Sequence, residues 1–532
     1  MELNPVKNKF SKRKKDIPGH NKGFWVIKKN ISFITKISNI LKSSFGPLGM
    51  DKIITEKNGN IIITNDGATI LSSMDIKNSV EKMLVNLSKS QDEEIGDGTT
   101  GIIIMTASLL KQAEKLIEKG VHPVRIVEGF EYACDICLSH LENISERMNK
   151  DCDVYTFMLE AGITAMNSKI TKRSKRKLSE LCIKSVFAVC DVIRKDVNLD
   201  LIKFEKKAGG HLEHTMLING IIIDKEFSHT QMPKQINDVR LCILTCPLEP
   251  PKPKTKYKIE IQNETQFNQL YSFEQKCFHD AIFQIKSSGA NLLLCQWGFD
   301  DEGNHLLLRN KLSAVRWVSG TEIELLAVTT GAQIVPRFNE ITSITLGYAS
   351  KIRESSLDKQ NRILIIENCA KSKVITVLIR GSSEFVVEEI KRSLRDGICV
   401  IRNLIKDNRI VFGGGSVELS CSLKIYEQAY QSFGLKHCIL NSFSESLRAI
   451  PMILAENAGY SPIETLYQIM NQQISEKNFH LGIDCTGKVV GNMKKKKVFE
   501  TLLGKQQQIQ NAVQLACAIL KIDDLIKLEN GK

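Results

Sequence analysis

Gly96-Asp97-Gly98-Thr99-Thr100-Gly101 puts three glycines, one carboxylate and two adjacent hydroxyls into six residues. It lies between two apolar patterns of helical spacing. Val80, Leu84 and Leu87 recur up to about Glu94, and Ile103, Ala107, Leu110, Ala113 and Ile117 recur afterwards, with Gly120 placed as a C-cap. The segment reads helix, glycine turn, helix. Glycine lets backbone approach a ligand closely, and the first N–H groups of the following helix have no internal partners. Those groups, at the positive end of the helix dipole, suit phosphate. Asp97 offers a hard oxygen ligand for Mg2+, and Thr99 and Thr100 offer hydroxyl donors. An ordinary glycine-rich helix connection has the same composition, so the turn alone leaves both readings open.

Two further turns of similar chemistry lie close by. A helical pattern through Ile31, Ile34, Ile37, Ile40 and Leu41 runs into Gly46-Pro47-Leu48-Gly49. A hairpin follows: Ile53 to Thr55, a turn at Asn58-Gly59, then Ile61 to Thr64. It delivers a second acidic turn, Asn65-Asp66-Gly67. Three such turns within about 60 residues point to one shared anion site. No G-x-x-x-x-G-K-[ST] is present, and a Walker loop would follow a strand rather than a helix.

At 532 residues the chain has room for three or four domain-sized units. No apolar run reaches the length of a membrane span, and the N-terminus is too basic and polar for a secretory signal. Fifteen cysteines without framework spacing indicate a reducing compartment. Cys134 and Cys137 form one C-x-x-C inside a helical pattern, which reads as buried thiol rather than zinc site. The net charge of +13 is partly local, with nine Lys or Arg in residues 1–30 and six between Lys169 and Lys177. The Lys169–Lys177 patch holds no aromatic, the first holds only Phe10, Phe24 and Trp25, and no recognised nucleic-acid module appears, so solvated basic surface is favoured over a nucleic-acid interface. Residues 1–25 read as a loosely attached basic arm.

Ile218 to Asp224 reads as one strand, and Asp238 to Leu244 as a buried one. Pro247 to Lys254 forms a proline-rich break. An amphipathic region from Phe267 to Ile285 follows, with Phe267, Leu270, Tyr271, Phe273, Phe278 and Phe283 too many for a solvated face. Shorter α/β alternation takes in Asn291 to Cys295, Ala314 to Val318 and Leu325 to Thr329. Val374 to Ile379 reads as a strand, and Phe385 to Lys406 as a helix with Ile390, Leu394, Ile398, Ile401 and Ile405 on its apolar stripe. Asp396 falls on the opposite side, where an aspartate is ordinarily a solvated surface residue. Gly413-Gly414-Gly415 reads as the end of one helix and the start of another. The closing helical patterns match those of the first 150 residues, so one all-helical domain built from both chain ends is expected.

SSFGPLGMDK, TNDGATIL, SQDEEIGDGTTG, GGGSVE and LKIDDLI, in this order and spacing, resemble the group II chaperonins from about residue 30 to 527. TCPLEPPKPKTK, CQWGFDDEGNHLLL and GIDCTGK look like one subunit type of the eukaryotic cytosolic branch. The resemblance implies a multidomain α and α/β subunit. A helical equatorial ATP-binding domain would comprise 1–150 and 411–532. A small α/β intermediate hinge domain would comprise 151–220 and 373–410, and an α/β apical domain with a lid protrusion would span 221–372. It further implies a cytoplasmic double ring of paralogous subunits that encloses unfolded proteins such as actin and tubulin and folds them with ATP and Mg2+.

Site residues carry over one at a time. Gly46 and Pro47 match the turn against the nucleotide. Asp97 matches the magnesium ligand, with Gly98, Thr99 and Thr100 around the phosphates. Asp66 and Asp396 match the two carboxylates that orient and deprotonate the attacking water. Ser168 and Lys169 match a loop that senses the γ-phosphate. Gly414 and Gly415 match the nucleoside side, with Asp484, Glu500 and Lys505 nearby. The chain departs from the family in its basic first 25 residues and at Gly397, usually alanine, a change that costs a helix about 1 kcal/mol. Two other readings stand beside the folding ATPase: a structural ring subunit with little ATPase of its own, and a basic nucleic-acid-binding protein supported only by charge.

Overall fold

A computed structural model describes residues 22–524, apart from 56–58, 60, 75, 77, 149–153, 168–173, 192, 251–260, 262, 358–361, 370–373 and 488. Expectations for the basic arm, Asn58, Ser168, Lys169 and the proline-rich stretch beyond Pro250 therefore fall outside the described residues. The chain divides into two compact units, Met1–Lys169 with Asp407–Lys532, and Ile170–Lys406.

In the first unit, helix Thr99–Glu118 carries Ile102, Ile103, Ile104, Met105, Leu109 and Leu110, each at most 1% exposed. These residues spread beyond one face, and a helix apolar all round has to be covered all round. Helices Lys22–Lys42, Ser79–Glu94, Leu435–Leu447 and Leu502–Leu520 supply the cover. The first and last come from opposite chain ends, which brings both termini into one unit. Lys22–Lys42 turns Ile27, Ile31, Ile34, Ile37 and Leu41 inward. Ile40, expected on that stripe, is 43% exposed, because 100° per residue carries it off the line from Ile37 to Leu41.

Helix Pro123–Ile144 packs on Ser416–Tyr430 and Leu502–Leu520 and buries Cys134 and Cys137. Burial pushes the Cys134 thiol up to about 12. Three small sheets make this unit less than all-helical. Lys52–Thr55 pairs with Ile61–Thr64, Leu481–Ile483 pairs with Val490–Asn492, and Arg409–Phe412 lies between Glu146–Arg147 and Phe499–Thr501. The last strand corrects the reading of the triple glycine, which follows a strand and not a helix. Helix Glu384–Lys406 stops first, and a run as short as Ile410-Val411-Phe412 has no period to reveal it.

In the second unit a mixed sheet runs Gly220–Ile223, Arg362–Cys369, Gly347–Ser356, Gln235–Leu244, Leu292–Cys295 and Ser313–Val315, with Ile334–Val335 also on Gln235–Leu244. Gln235–Leu244, Leu292–Cys295 and Ser313–Val315 are parallel, joined through helices Glu264–Ser287 and Asp301–Arg309. Leu325 to Thr329 belongs to helix Gly320–Thr330. The single strand expected over Ile218 to Asp224 is two. Met216–Ile218 pairs with Ile375–Gly381, and Gly220–Ile223 with Arg362–Cys369. The chain changes sheets at Gly220, where φ is +148° and a Cβ would lie 1.9 Å from Ile366 O, so only glycine fits.

Helix Glu384–Lys406 packs against helix Lys175–Val189 on one side and strands Ile202–Ala208 and Ile375–Gly381 on another. Covered twice, it buries Glu389, Ser393 and Gly397 as well as its stripe. Asp396 is half-buried as a result rather than fully solvated, and it helps burial and Cys399 to raise the Cys182 thiol.

Phe130 and Phe443 meet edge-on in the first unit, ring centroids 5.5 Å apart, both wholly buried. Phe443→Ala is expected to cost about 3–5 kcal/mol in the first denaturant-induced unfolding transition of the full chain. A loss below about 1 kcal/mol would mean the site collapses around the gap.

Candidate functional site

The hairpin Lys52–Thr55/Ile61–Thr64 ends at Asp66, which caps the short helix Gly67–Ser73. Its Oδ2 accepts from the Thr69 amide (3.0 Å) and Thr69 Oγ1 (2.7 Å). Its Oδ1 accepts from Thr99 Oγ1 at 3.0 Å. One carboxylate thus ties two helix N-termini together. A Cβ on Gly67 would lie 2.6 Å from Thr100 Oγ1 and 3.1 Å from Thr100 N, so the two helix starts touch.

Helix Thr99–Glu118 is capped by Gly98 in the left-handed region, φ +80°, with no side-chain hydrogen bond to its first turn. The Gly98 amide donates to Asp97 Oδ1 at 2.6 Å. Helix Ser416–Tyr430 begins in the same way after Gly415, φ +74°, again without a side-chain cap. Uncapped first turns of this kind leave amide donors for an anion. The Gly46 turn joins through Phe45, whose ring would meet a Cβ on Gly101 at 3.6 Å. Asn457 Nδ2 holds that turn through Lys42 O (2.9 Å) and Phe45 O (2.7 Å), and Pro47 beside it is half-buried.

On the other flank, the Ile483 amide donates to Gly414 O at 2.9 Å, and Gly415 backs onto Pro451. Asp484 follows. Its Oδ1 accepts from the Thr486 amide and hydroxyl (3.0 and 2.9 Å), and Lys496 Nζ lies 3.0 Å from its Oδ2. Burial pushes the Asp484 carboxyl up, but Lys496 and the Thr486 donors outweigh this and hold it below its ordinary value.

Lys505 Nζ sits 2.7 Å from Glu418 Oε1 and 2.6 Å from Glu500 Oε2, with Glu418 1% exposed. Burial lowers the ammonium's pKa, yet the two carboxylates together hold it above its ordinary 10.5. The Glu500 carboxyl is raised, by burial first, with Glu418 and Asp97 adding repulsion against Lys505. The two partners shift unequally because one ammonium serves two carboxylates, and we take Lys505 with the wholly buried Glu418 as the governing pair. The repulsion from Asp97 marks Glu500 as a second acid near the glycine turn, where the sequence suggests Asp97 alone. Glu500 also lies against the triple glycine, 2.8 Å from a Cβ placed on Gly413.

The first unit therefore holds Gly46, Pro47, Asp66, Asp97, Gly98, Thr99, Thr100, Gly414, Gly415, Asp484, Glu500 and Lys505. Asp396 belongs to the second unit, and Ser168 and Lys169 are not among the described residues. Sequence reasoning missed Glu418, Gln91 and Lys496. Glu418 and Gln91 stand inside the quoted motifs GGGSVE and SQDEEIGDGTTG, but no local pattern says that either faces the site. Among the described residues no group of three metal-ligating side chains is assembled. A magnesium ion at Asp97 would take its other ligands from phosphate and water, as this cation commonly does, so the donor set fits Mg-ATP better than a metal alone.

Lys505→Met strands Glu418 and is expected to cost about 3–5 kcal/mol, much of it recovered in Glu418→Gln/Lys505→Met. Because the folded pKa of Lys505 is raised, its contribution is complete below about 10.5 and is lost as pH rises through the folded value. Thermal unfolding from about pH 9 down to 6 should also show the Lys505→Met deficit narrowing, as the unpaired Glu418 and Glu500 carboxyls take up protons. A difference that grows toward low pH would refute this pairing.

The model of the TCP-1/cpn60 chaperonin family matches residues 37–530. T-complex protein 1 subunit epsilon of Encephalitozoon cuniculi is 45% identical over 507 residues, covering 95% of this chain and 94% of that protein. Thermosome subunits of Pyrococcus abyssi and Pyrococcus horikoshii are 36% and 37% identical over 510 residues, covering 94% of this chain and 92% of each. With glycine-capped helix starts, an ion-paired acid cluster and matches spanning nearly the whole sequence, the chain belongs to the TCP-1/cpn60 chaperonin family, as a subunit of an ATP-dependent group II chaperonin.

Proposed function

We propose that the first unit binds Mg-ATP between the starts of helices Thr99–Glu118 and Ser416–Tyr430, and that the chain hydrolyses it to drive protein folding. One observation carries this reading. Two helices open after left-handed glycines with no side-chain cap, and helix Leu502–Leu520 touches both starts, through Lys505 on Glu418 and Gln508 against Gly98 and Gly101. Asp97 would hold Mg2+, whose chemistry is charge neutralisation at phosphate oxygens. The amides of Thr99 and Thr100 and the Thr100 hydroxyl would bind phosphate beside Gly98, with Gly46 and Pro47 alongside, while the Gly98 amide stays on Asp97 Oδ1 and the Thr99 hydroxyl on Asp66 Oδ1. Gly414, Gly415, Asp484, Glu500 and Lys505 would line the nucleoside side. Asp66 would orient the attacking water, and Asp396 would accept its proton. Phosphoryl transfer asks mainly for positioning and charge, which these groups supply. On the same reading Ser168 and Lys169 respond to the γ-phosphate.

The division into equatorial, intermediate and apical domains, and assembly with paralogous subunits into a cytosolic double ring, are part of this proposal. Free cysteines throughout the described residues accord with a reducing compartment. Among the described residues no helix is long and apolar enough to cross a membrane. Helix Glu264–Ser287 is proposed as a surface for unfolded clients. Phe278 packs inward, whereas Phe267, Tyr271, Phe273 and Phe283 are each more than half exposed, against the reading that these rings are all core.

Asp97→Ala is expected to abolish Mg2+-dependent ATP binding or weaken it severely, because the neighbouring acid Glu500 is engaged by Lys505. Isothermal titration of Mg-ATP into parent and variant checks this, and equal affinities would remove Asp97 from the site. Asp396→Ala should leave ATP affinity nearly unchanged and slow hydrolysis by about 10²–10⁴-fold. Single-turnover measurement on a homo-oligomer of this chain reads that step without contribution from paralogues. Unchanged turnover there would remove Asp396 from the chemistry and leave it a surface residue.

A further inference from the structure

We propose that Gln91 is a positioning residue for the turn that carries Asp97: its side-chain amide, held by Asn511, sets the Asp97–Gly98 peptide plane and through it the Asp97 carboxylate. This rests on the assignment of Asp97 as the magnesium ligand and goes beyond it.

Gln91 lies in the last turn of helix Ser79–Glu94 and is wholly buried. Its main-chain carbonyl accepts the amides of Ile95 (2.9 Å) and Gly96 (3.1 Å), which ends the helix. Its Nε2 then donates to Asp97 O at 3.2 Å, while Asn511 Nδ2, from helix Leu502–Leu520, donates to its Oε1 at 3.1 Å. A backbone carbonyl only accepts and an Asn Nδ2 only donates, so one orientation of the glutamine amide satisfies both.

The contact matters because of which peptide it grips. Asp97 O and the Gly98 N–H are the two ends of one rigid plane. Gln91 holds the carbonyl end, and the amide end donates to Asp97 Oδ1 at 2.6 Å. Fixing the plane therefore fixes the carboxylate. Gly96 and Gly98, at φ +77° and +80°, flank Asp97 with residues whose backbone rotates at little steric cost. Without an anchor this peptide can turn over, withdrawing the N–H from Oδ1. Gln91 acts through Asp97 and is placed to do so from behind the turn.

The test uses the full-length protein, with ATP binding followed by isothermal titration over a Mg2+ series and again in EDTA. Gln91→Met keeps length and removes the donor. The Mg2+ midpoint for ATP binding is expected to rise about 10–100-fold, with metal-free ATP affinity held within about twofold. Asn511→Leu, which loosens the glutamine without touching the turn, should shift the midpoint less and in the same direction. An unchanged midpoint in both variants overturns the proposal. So does an equal loss with and without Mg2+, which marks a purely structural role. Should Gln91→Met not fold, Asn511→Leu decides by the same two readouts. A parent protein that binds no ATP at any Mg2+ concentration overturns the site assignment and this inference together. A parent that binds, with unaltered variants, overturns the inference alone.

Discussion

Complete cover of helix Thr99–Glu118 is the constraint on which the first unit depends. Six large side chains on it are at most 1% exposed, each worth roughly 1.5–3 kcal/mol when buried, so no single face suffices. The cover comes from segments separated by most of the chain, at Lys22–Lys42 and Leu502–Leu520. A helix held so firmly along its length has a fixed N-terminus. That terminus carries Gly98, Thr99 and Thr100, and it is joined through Asp66 to the start of helix Gly67–Ser73. Packing energy far from the turn thus becomes positional precision at the turn.

Charge in the site is arranged around one ammonium. Lys505 neutralises Glu418, which is buried, and Glu500, which lies against Gly413. An uncompensated acid beside Asp97 would repel a phosphate. Lys505 offsets that charge through its pairs with Glu418 and Glu500. The same logic recurs at Asp484, where Lys496 and Thr486 satisfy a nearly buried carboxylate. These pairs serve the site's electrostatics more than the fold's stability, since a buried ion pair often gains little over a well-packed apolar one.

The second unit shows how far tertiary packing reassigns faces. Lys203 on Ile202–Ala208 meets Glu322 at 2.6 Å, Glu205 at 3.3 Å and Ile222 O at 2.6 Å. Burial is the first cause raising the Glu205 carboxyl, against the pull of Lys203. A lysine and a glutamate two apart on one strand share a face, but only the approach of helix Gly320–Thr330 turns that face inward. Helix Glu384–Lys406 behaves alike, with covering elements on two sides drawing polar residues out of water.

How much of this was legible beforehand depends on range. Helices Ser79–Glu94 and Thr99–Glu118, the glycine turn, the Lys52–Thr64 hairpin and the buried cysteines could all be read from spacing, because apolar period and glycine freedom are local properties. The family motifs were legible too, and family membership follows from sequence alone. The strand Arg409–Phe412, the break at Gly220 and the burial around Asp396 were not. Each depends on which distant element lies alongside, and local periodicity carries no record of that partner. The Lys505–Glu418 pair and the Gln91–Asn511 contact are of the same kind. Their partners are 87 and 420 residues apart, and only the folded chain brings donor to acceptor. The sequence determined which residues carry chemistry suited to an anion and a metal, since that is residue chemistry. The tertiary structure decided which carboxylate is neutralised and which peptide is held, since those follow from contacts that packing alone creates.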